Sequence, residues 1–195
     1  MSQLFPLYNN VKDKAPTKYL CLAELCAYAC TPTVGPKSES PALTPYFASA
    51  KTKEAALAAE FNALVIDHDH DNLTEENIRV IYDAYGVAYL AFTTASHMQE
   101  KGGITANRWK VVIPFENPAR YEQFVKLAVG LTIHHGADRA QARAQQVFYA
   151  PNKLEPDAEY KFINATDSPF LVLEDEANPL VVAALSAYAK TRRRR

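Results

Sequence analysis

The densest run of reactive side chains is Asp67, His68, Asp69, His70 and Asp71, which follows directly on the apolar stretch 61–66. Three carboxylates this close repel one another unless cations or solvent relieve them. In an extended segment Asp67 and Asp69 leave the same face, so both can reach one or two divalent ions. An all-oxygen pair suits Mg²⁺ or Mn²⁺ better than Zn²⁺. The same run also reads as a solvated Asp-rich turn, or, through His68-x-His70, as a site for Zn²⁺ or a softer metal.

Three further groups carry chemistry. Ser96 and His97 close an apolar stretch in Thr-Thr-Ala-Ser-His, where an imidazole can contact a phosphate. Arg108 and Lys110 alternate with Trp109, Val111 and Ile113, which sets the cations on one face of a strand and the apolar residues on the other. On an open face that pair suits phosphates, although it reads equally as a snorkelling, solvated pair. Asp138, with Arg139 and Arg143 close behind, lies after a long amphipathic segment. His134 and His135 diverge on a helix and fit its C-terminal end better than a metal.

The elements that must position these groups follow from periodicity. Residues 61–66 form a strand ending at Asp67. Thr74, followed by Glu75 and Glu76, starts a helix with Ile78, Ile81, Tyr82 and Tyr85 on its apolar side, and Gly86 stops it. Residues 87–93 and 108–114 are two more strands, joined by a hairpin-like excursion over 94–107 that contains Gly102 and Gly103. A helix after Pro118 ends near 130–134, and residues 145–150 make a fourth strand.

The predicted class is therefore α+β: a split βαββαβ core, RRM-like or ferredoxin-like, with α/β additions at both ends. Strands one and three lie centrally and antiparallel, strands two and four outside, and both helices cover one face. In that topology Asp67, Ser96, His97, Arg108, Lys110 and Asp138 share one edge. The core spans 60–152 of a single domain over 1–190. Residues 1–59 are a proline-interrupted extension, irregular over 1–50, with a short helix near 22–29 and another over 52–61. Residues 153–190 are a C-terminal addition with a helix from Pro179, and 191–195 are a basic tail expected to be disordered.

Composition is compatible with this. The 195 residues are 48% hydrophobic, with 9 Phe and 11 Tyr, enough for a core without disulfides or a structural metal. The net charge of −1 conceals an asymmetry. Five of the 21 basic residues are Lys190 and Arg192 to Arg195; the other 16 face 22 acidic groups, so the body carries −6. A uniformly basic nucleic-acid binder is excluded, and phosphate could be handled only at a local electropositive groove or through metal ions. Cys21, Cys26 and Cys30 are odd in number and read as buried small hydrophobes of a reducing compartment. No signal segment or membrane span is visible, which gives a cytoplasmic, non-membrane expectation.

Taken together, Asp67-x-Asp69 after a strand, Ser96-His97 after another and Asp138 before a later strand resemble the archaeo-eukaryotic primase superfamily. The likeness is to the small primase-polymerase domains of phages, plasmids and other mobile elements, and it covers about residues 60–152. It implies template-directed nucleotidyl transfer in the replication of a mobile element. Asp67, Asp69 and Asp138 would hold Mg²⁺ or Mn²⁺, and His97, with Ser96, would meet the incoming nucleotide. Arg108 and Lys110 would assist its phosphates, and Arg139 or Arg143 would follow the template. The implied partners are nucleoside triphosphates, a single-stranded DNA template and a replicative helicase. Two rivals stand beside this reading. One is a non-catalytic single-strand-binding or replisome-docking module. The other is a metal-dependent replication endonuclease using His68-x-His70 and a tyrosine nucleophile.

Overall fold

The computed structural model describes residues 4–143 and 146–192. The chain opens with β1 (Leu4–Tyr8), β2 (Lys18–Cys21) and α1 (Leu22–Cys30), followed by the two-residue strands β3 (Thr33–Val34), β4 (Ala42–Leu43) and β5 (Tyr46–Phe47). A short helix α2 (Lys53–Ala58) leads into β6 (Glu60–His68), α3 (Glu75–Asp83) and β7 (Tyr89–Thr93). The hairpin β8 (Glu100–Lys101) and β9 (Ile104–Thr105) precedes β10 (Trp109–Ala119) and α4 (Tyr121–His135). Then come β11 (Phe148–Tyr149), β12 (Asn152–Lys153), β13 (Phe162–Ala165) and α5 (Pro179–Arg192).

The main sheet runs β13-β7-β10-β6-β5, with all four pairings antiparallel. Strands one, three and two of the expected core are β6, β10 and β7, in the expected order. The expected fourth strand is a correction. Residue 145 lies outside the described part; among the described residues 146–150 only Phe148 and Tyr149 form a strand, and they pair with β4 in a second sheet ordered β11-β4-β1-β2. The place beside β6 goes to β5, through Tyr46↔Phe61. Residues 4–47, read as an irregular lead-in, therefore contribute strands to both sheets.

Alternation along β6 and β10 divides the interior. Leu64, Ile66, Trp109, Val111 and Ile113 face α3 and α4, with Ile78, Tyr82, Phe124, Leu127 and Leu131. Ala63, Val65 and Val112 face the other way, onto Phe5, Leu7, Leu20, Leu25, Leu43 and Phe148. The face expected to be open is thus covered by the second sheet and α1. Burying two such layers is the main source of stability, roughly 25 cal/mol per Å² of apolar surface. Cys26 joins this second core, whereas Cys30 is exposed and Cys21 half-buried; all three are free thiols.

Local signals set the element ends. The Thr74 hydroxyl accepts from Asn77 N–H at 3.2 Å while Asn77 Oδ1 accepts from Thr74 N–H at 3.0 Å, a reciprocal cap that starts α3. Gly136, at φ 67°, ends α4 in the left-handed region that favours glycine. α5 lies on α4 at Gly130, where a Cβ would fall 2.0 Å from the carbonyl oxygen of Ala184, so only glycine permits this approach. Among the described residues no helix is long and apolar enough to cross a membrane.

Candidate functional site

The register of the main sheet brings the predicted groups together. Trp109 lies opposite His68 on one side and Thr93 on the other, so the end of β6, the end of β7 and the start of β10 share one edge. Past β6 the chain turns through Asn72, at φ 49°, a conformation asparagine tolerates. Asn72 Oδ1 accepts from the backbone N–H of Asn107 at 2.8 Å, and the Trp109 indole donates to Leu73 O at 2.8 Å. The acidic turn is thereby fastened to the start of β10.

Asp67 shares the face of Ala63 and Val65 and lies opposite Lys110 in the ladder. The Lys110 ammonium donates to Asp67 Oδ2 at 2.5 Å, with the side chains only 4% and 13% exposed. Such a pair is stable only because both charges are present; removing either leaves the other desolvated. Asp67, Asp69 and Lys110 line a cleft with Phe92, Thr94 and Ala95. The opposite wall comes from Lys37, Tyr149 and Asn152, with the Lys37 ammonium 4.8 Å above the Tyr149 ring. Sequence reasoning missed Lys37, Tyr149 and Asn152 as site residues. Lys37 sits in a Pro- and Ser-rich loop with no periodicity, and nothing in a linear reading folds that loop over β6.

His68 points to the other face. Its Nδ1 lies 2.5 Å from Asp71 Oδ2 and its Nε2 2.8 Å from the Tyr82 hydroxyl, while His70 is exposed. The two rings therefore do not converge as an H-x-H metal pair. His68 serves instead to pin the acidic run to α3. His135, half-buried, joins the same group, 3.1 Å from the Tyr85 hydroxyl. Burial first, then the neighbouring His68 and His134, push its pKa down to about 4.

The turn after β7 is held from within. His97 N–H donates to Thr94 O at 2.8 Å, and Met98 takes a φ of 55°, rare for a residue with a side chain and a mark of local strain. His97 Nδ1 accepts from the Arg108 backbone N–H at 3.2 Å, so the neutral ring carries its proton on Nε2. Burial lowers its pKa, against the opposing pull of Glu159, whose Oε1 is 3.7 Å from Nε2. His97 is 3% exposed and is not among the cleft's lining residues.

Arg108, expected beside Lys110 on a phosphate, is buried and spends its guanidinium on carbonyls of the β7–β10 connection. It donates to Ser96 O, to Gln99 O at 2.8 Å and to Ile104 O at 3.3 Å. Ser96 itself pairs its hydroxyl with that of Thr94 at 3.1 Å.

The end of α4 returns to the same edge: Asp138 N–H donates to Asp67 O at 3.1 Å. The Asp138 carboxylate, however, accepts from Ala140 N–H at 2.9 Å and starts a 3₁₀ turn over Arg139–Ala142. Among the described residues no three His, Cys, Asp or Glu side chains stand together as a metal cluster, so the expected three-carboxylate arrangement is not assembled. Arg143 is exposed after this turn; the side chain of Arg139 and all of residues 193–195 lie outside the described part.

No protein-family profile matches the chain, and no curated protein matches it. Among solved structures it is similar to the archaeo-eukaryotic primase domain of the cyanophage S-2L primase-polymerase, at 12% identity and a TM-score of 0.50. The likeness covers 87% of this chain and 84% of that one. At that identity the two share an α+β fold.

Proposed function

We propose that the chain is a template-directed nucleotidyltransferase, a DNA primase-polymerase serving the replication of a mobile element. The observation that carries this reading is the convergence of Asp67, Asp69 and Lys110 in one cleft at the sheet edge, with the Thr94–His97 turn and Asp138 brought to the same edge. The similar fold of a phage primase-polymerase domain supports it.

The donor set fits a hard cation. Two carboxylates on one face, open to a cleft, are what Mg²⁺ or Mn²⁺ uses when substrate phosphates complete its shell. Asp67 and Asp69 would hold it, and Asp138 would join by giving up its bond to Ala140. When bound, the ion supplies charge neutralisation at the triphosphate and acidifies the attacking 3′-hydroxyl. The chain's own residues do the rest. Lys110 and Lys37 offer ammonium groups to phosphate oxygens from opposite walls. His97, neutral with its proton on Nε2, is a hydrogen-bond donor near neutral pH. Arg108 holds the turn bearing Ser96 and His97 in place, while Arg139 or Arg143 would follow the template.

Purified protein supplied with Mg²⁺ or Mn²⁺, labelled ribo- or deoxynucleotides, and templates with and without primers should incorporate nucleotides. Asp67→Asn with Asp69→Asn should abolish incorporation while circular dichroism stays unchanged. Incorporation by the folded double variant, or none by the wild type under all conditions, refutes the reading.

The Lys110–Asp67 pair favours a second reading. A cleft carrying its own cation can serve a non-catalytic single-strand-binding or docking module. That module would bind single-stranded DNA equally well in EDTA and after loss of Asp67 and Asp69. The endonuclease alternative loses its main feature, because His68 is engaged with Asp71 and Tyr82.

A further inference from the structure

We infer that Lys110 is a built-in counter-ion that competes with divalent metal for Asp67, and that a triphosphate relieves the competition by drawing the ammonium away. Three observations carry this. First, Lys110 and Asp67 are ladder partners, so the backbone of two central strands fixes their proximity. Second, the ammonium sits 2.5 Å from Asp67 Oδ2 with both side chains largely buried, where water screens the pair poorly. Third, both residues line the cleft that also holds Asp69 and Lys37, so the lysine can turn toward an anion there without crossing the core.

Two cations against one buried carboxylate repel each other. Metal entry at Asp67 therefore requires the ammonium to give way, and a polyanion in the cleft provides its alternative partner. By thermodynamic reciprocity, phosphate binding then strengthens metal binding and metal binding strengthens phosphate binding. The metal-free protein keeps Asp67 satisfied, which prevents a desolvated carboxylate from destabilising the edge.

The inference rests on Asp67 and Asp69 being metal ligands, and it is tested without template or turnover. Mn²⁺ alone is titrated into wild-type, Lys110→Met and Lys110→Arg proteins, with free Mn²⁺ followed by electron paramagnetic resonance and folding checked by thermal melts. Lys110→Met should bind Mn²⁺ more tightly than wild type, by a factor within the roughly 5- to 150-fold range of site couplings. Lys110→Arg, which keeps the positive charge, should stay near wild type. In EDTA, Asp67→Asn should bind inorganic tripolyphosphate more tightly than wild type, because its lysine is released.

A folded Lys110→Met that binds Mn²⁺ no better than wild type overturns the inference. Should that variant not fold, the Lys110 ammonium ¹H–¹⁵N signal of the wild type decides. The signal should move with tripolyphosphate at Mg²⁺ concentrations that leave it unchanged alone, and with Mg²⁺ alone only at higher concentrations; a signal that neither addition moves overturns the inference. A gain of Mn²⁺ affinity without any nucleotide incorporation would leave this competition standing and remove the polymerase reading.

Discussion

His135 makes the acid stability of the protein calculable. It ends α4 against the rings of His68, Tyr82 and Tyr85, at centroid distances of 5.7, 5.6 and 5.9 Å. Its pKa is lowered to about 4, chiefly by burial, from the ordinary value of 6.5. A base with a depressed native pKa binds fewer protons folded than unfolded, so stability falls as pH drops from about 6.5 toward 4. The two-state linkage expression gives a loss of ~0.2 kcal/mol at pH 7 and ~2.5 kcal/mol at pH 4.5; partial solvent access reduces the latter to about 2. The perturbation is His135→Gln, which keeps a neutral hydrogen-bonding side chain near Tyr85 and cannot charge. Urea unfolding of both proteins at the two pH values provides the measurement. Carboxylates and His97 titrate in both, so only the difference counts. The wild type should lose about 2 kcal/mol more than the variant between pH 7 and pH 4.5. Equal losses would refute the assignment of His135 as a half-buried base held neutral in the folded protein.

Other expectations follow from single contacts. Gly130→Ala should destabilise the chain by ~1–3 kcal/mol despite the better helix propensity of alanine, because the new Cβ meets the Ala184 carbonyl; a raised melting temperature would contradict this. Arg108→Ala should expose the 94–107 connection to limited proteolysis and cost about 2–4 kcal/mol, and Arg108→Lys should not restore protection, since an ammonium lacks the planar fork that reaches three carbonyls. His68→Phe should cost about 1–3 kcal/mol by leaving Asp71 and the Tyr82 hydroxyl without their partner; an unchanged urea midpoint would show that the pair contributes nothing.

Much of the site was legible because its determinants are local. The i, i+2 alternation that turns Asp67 away from Ile66 and Lys110 away from Trp109 is a property of any strand; it put Lys110 on the face opposite Trp109 and set Asp67 and Asp69 on a common face. The cap at Thr74 and the stop after α4 depend on side-chain chemistry within one turn. That the ends of β6 and β7 and the start of β10 share one edge followed from their order, with a helix between the first two and a hairpin before the third.

What covers that face was decided elsewhere. β4, β5 and β11 are two residues long, too short to show any periodicity, and the pairing Phe148↔Leu43 spans more than half the chain. Their strand character comes from apolar burial against β6 and β10, a non-local term, so Tyr46–Phe47 rather than residues 145–150 completed the main sheet. The same covering sheet turned a solvated strand face into a desolvated one. Sequence alone brought Asp67 and Lys110 to one sheet edge; the tertiary structure made them a buried ion pair, because only burial removes the water that would otherwise keep them apart.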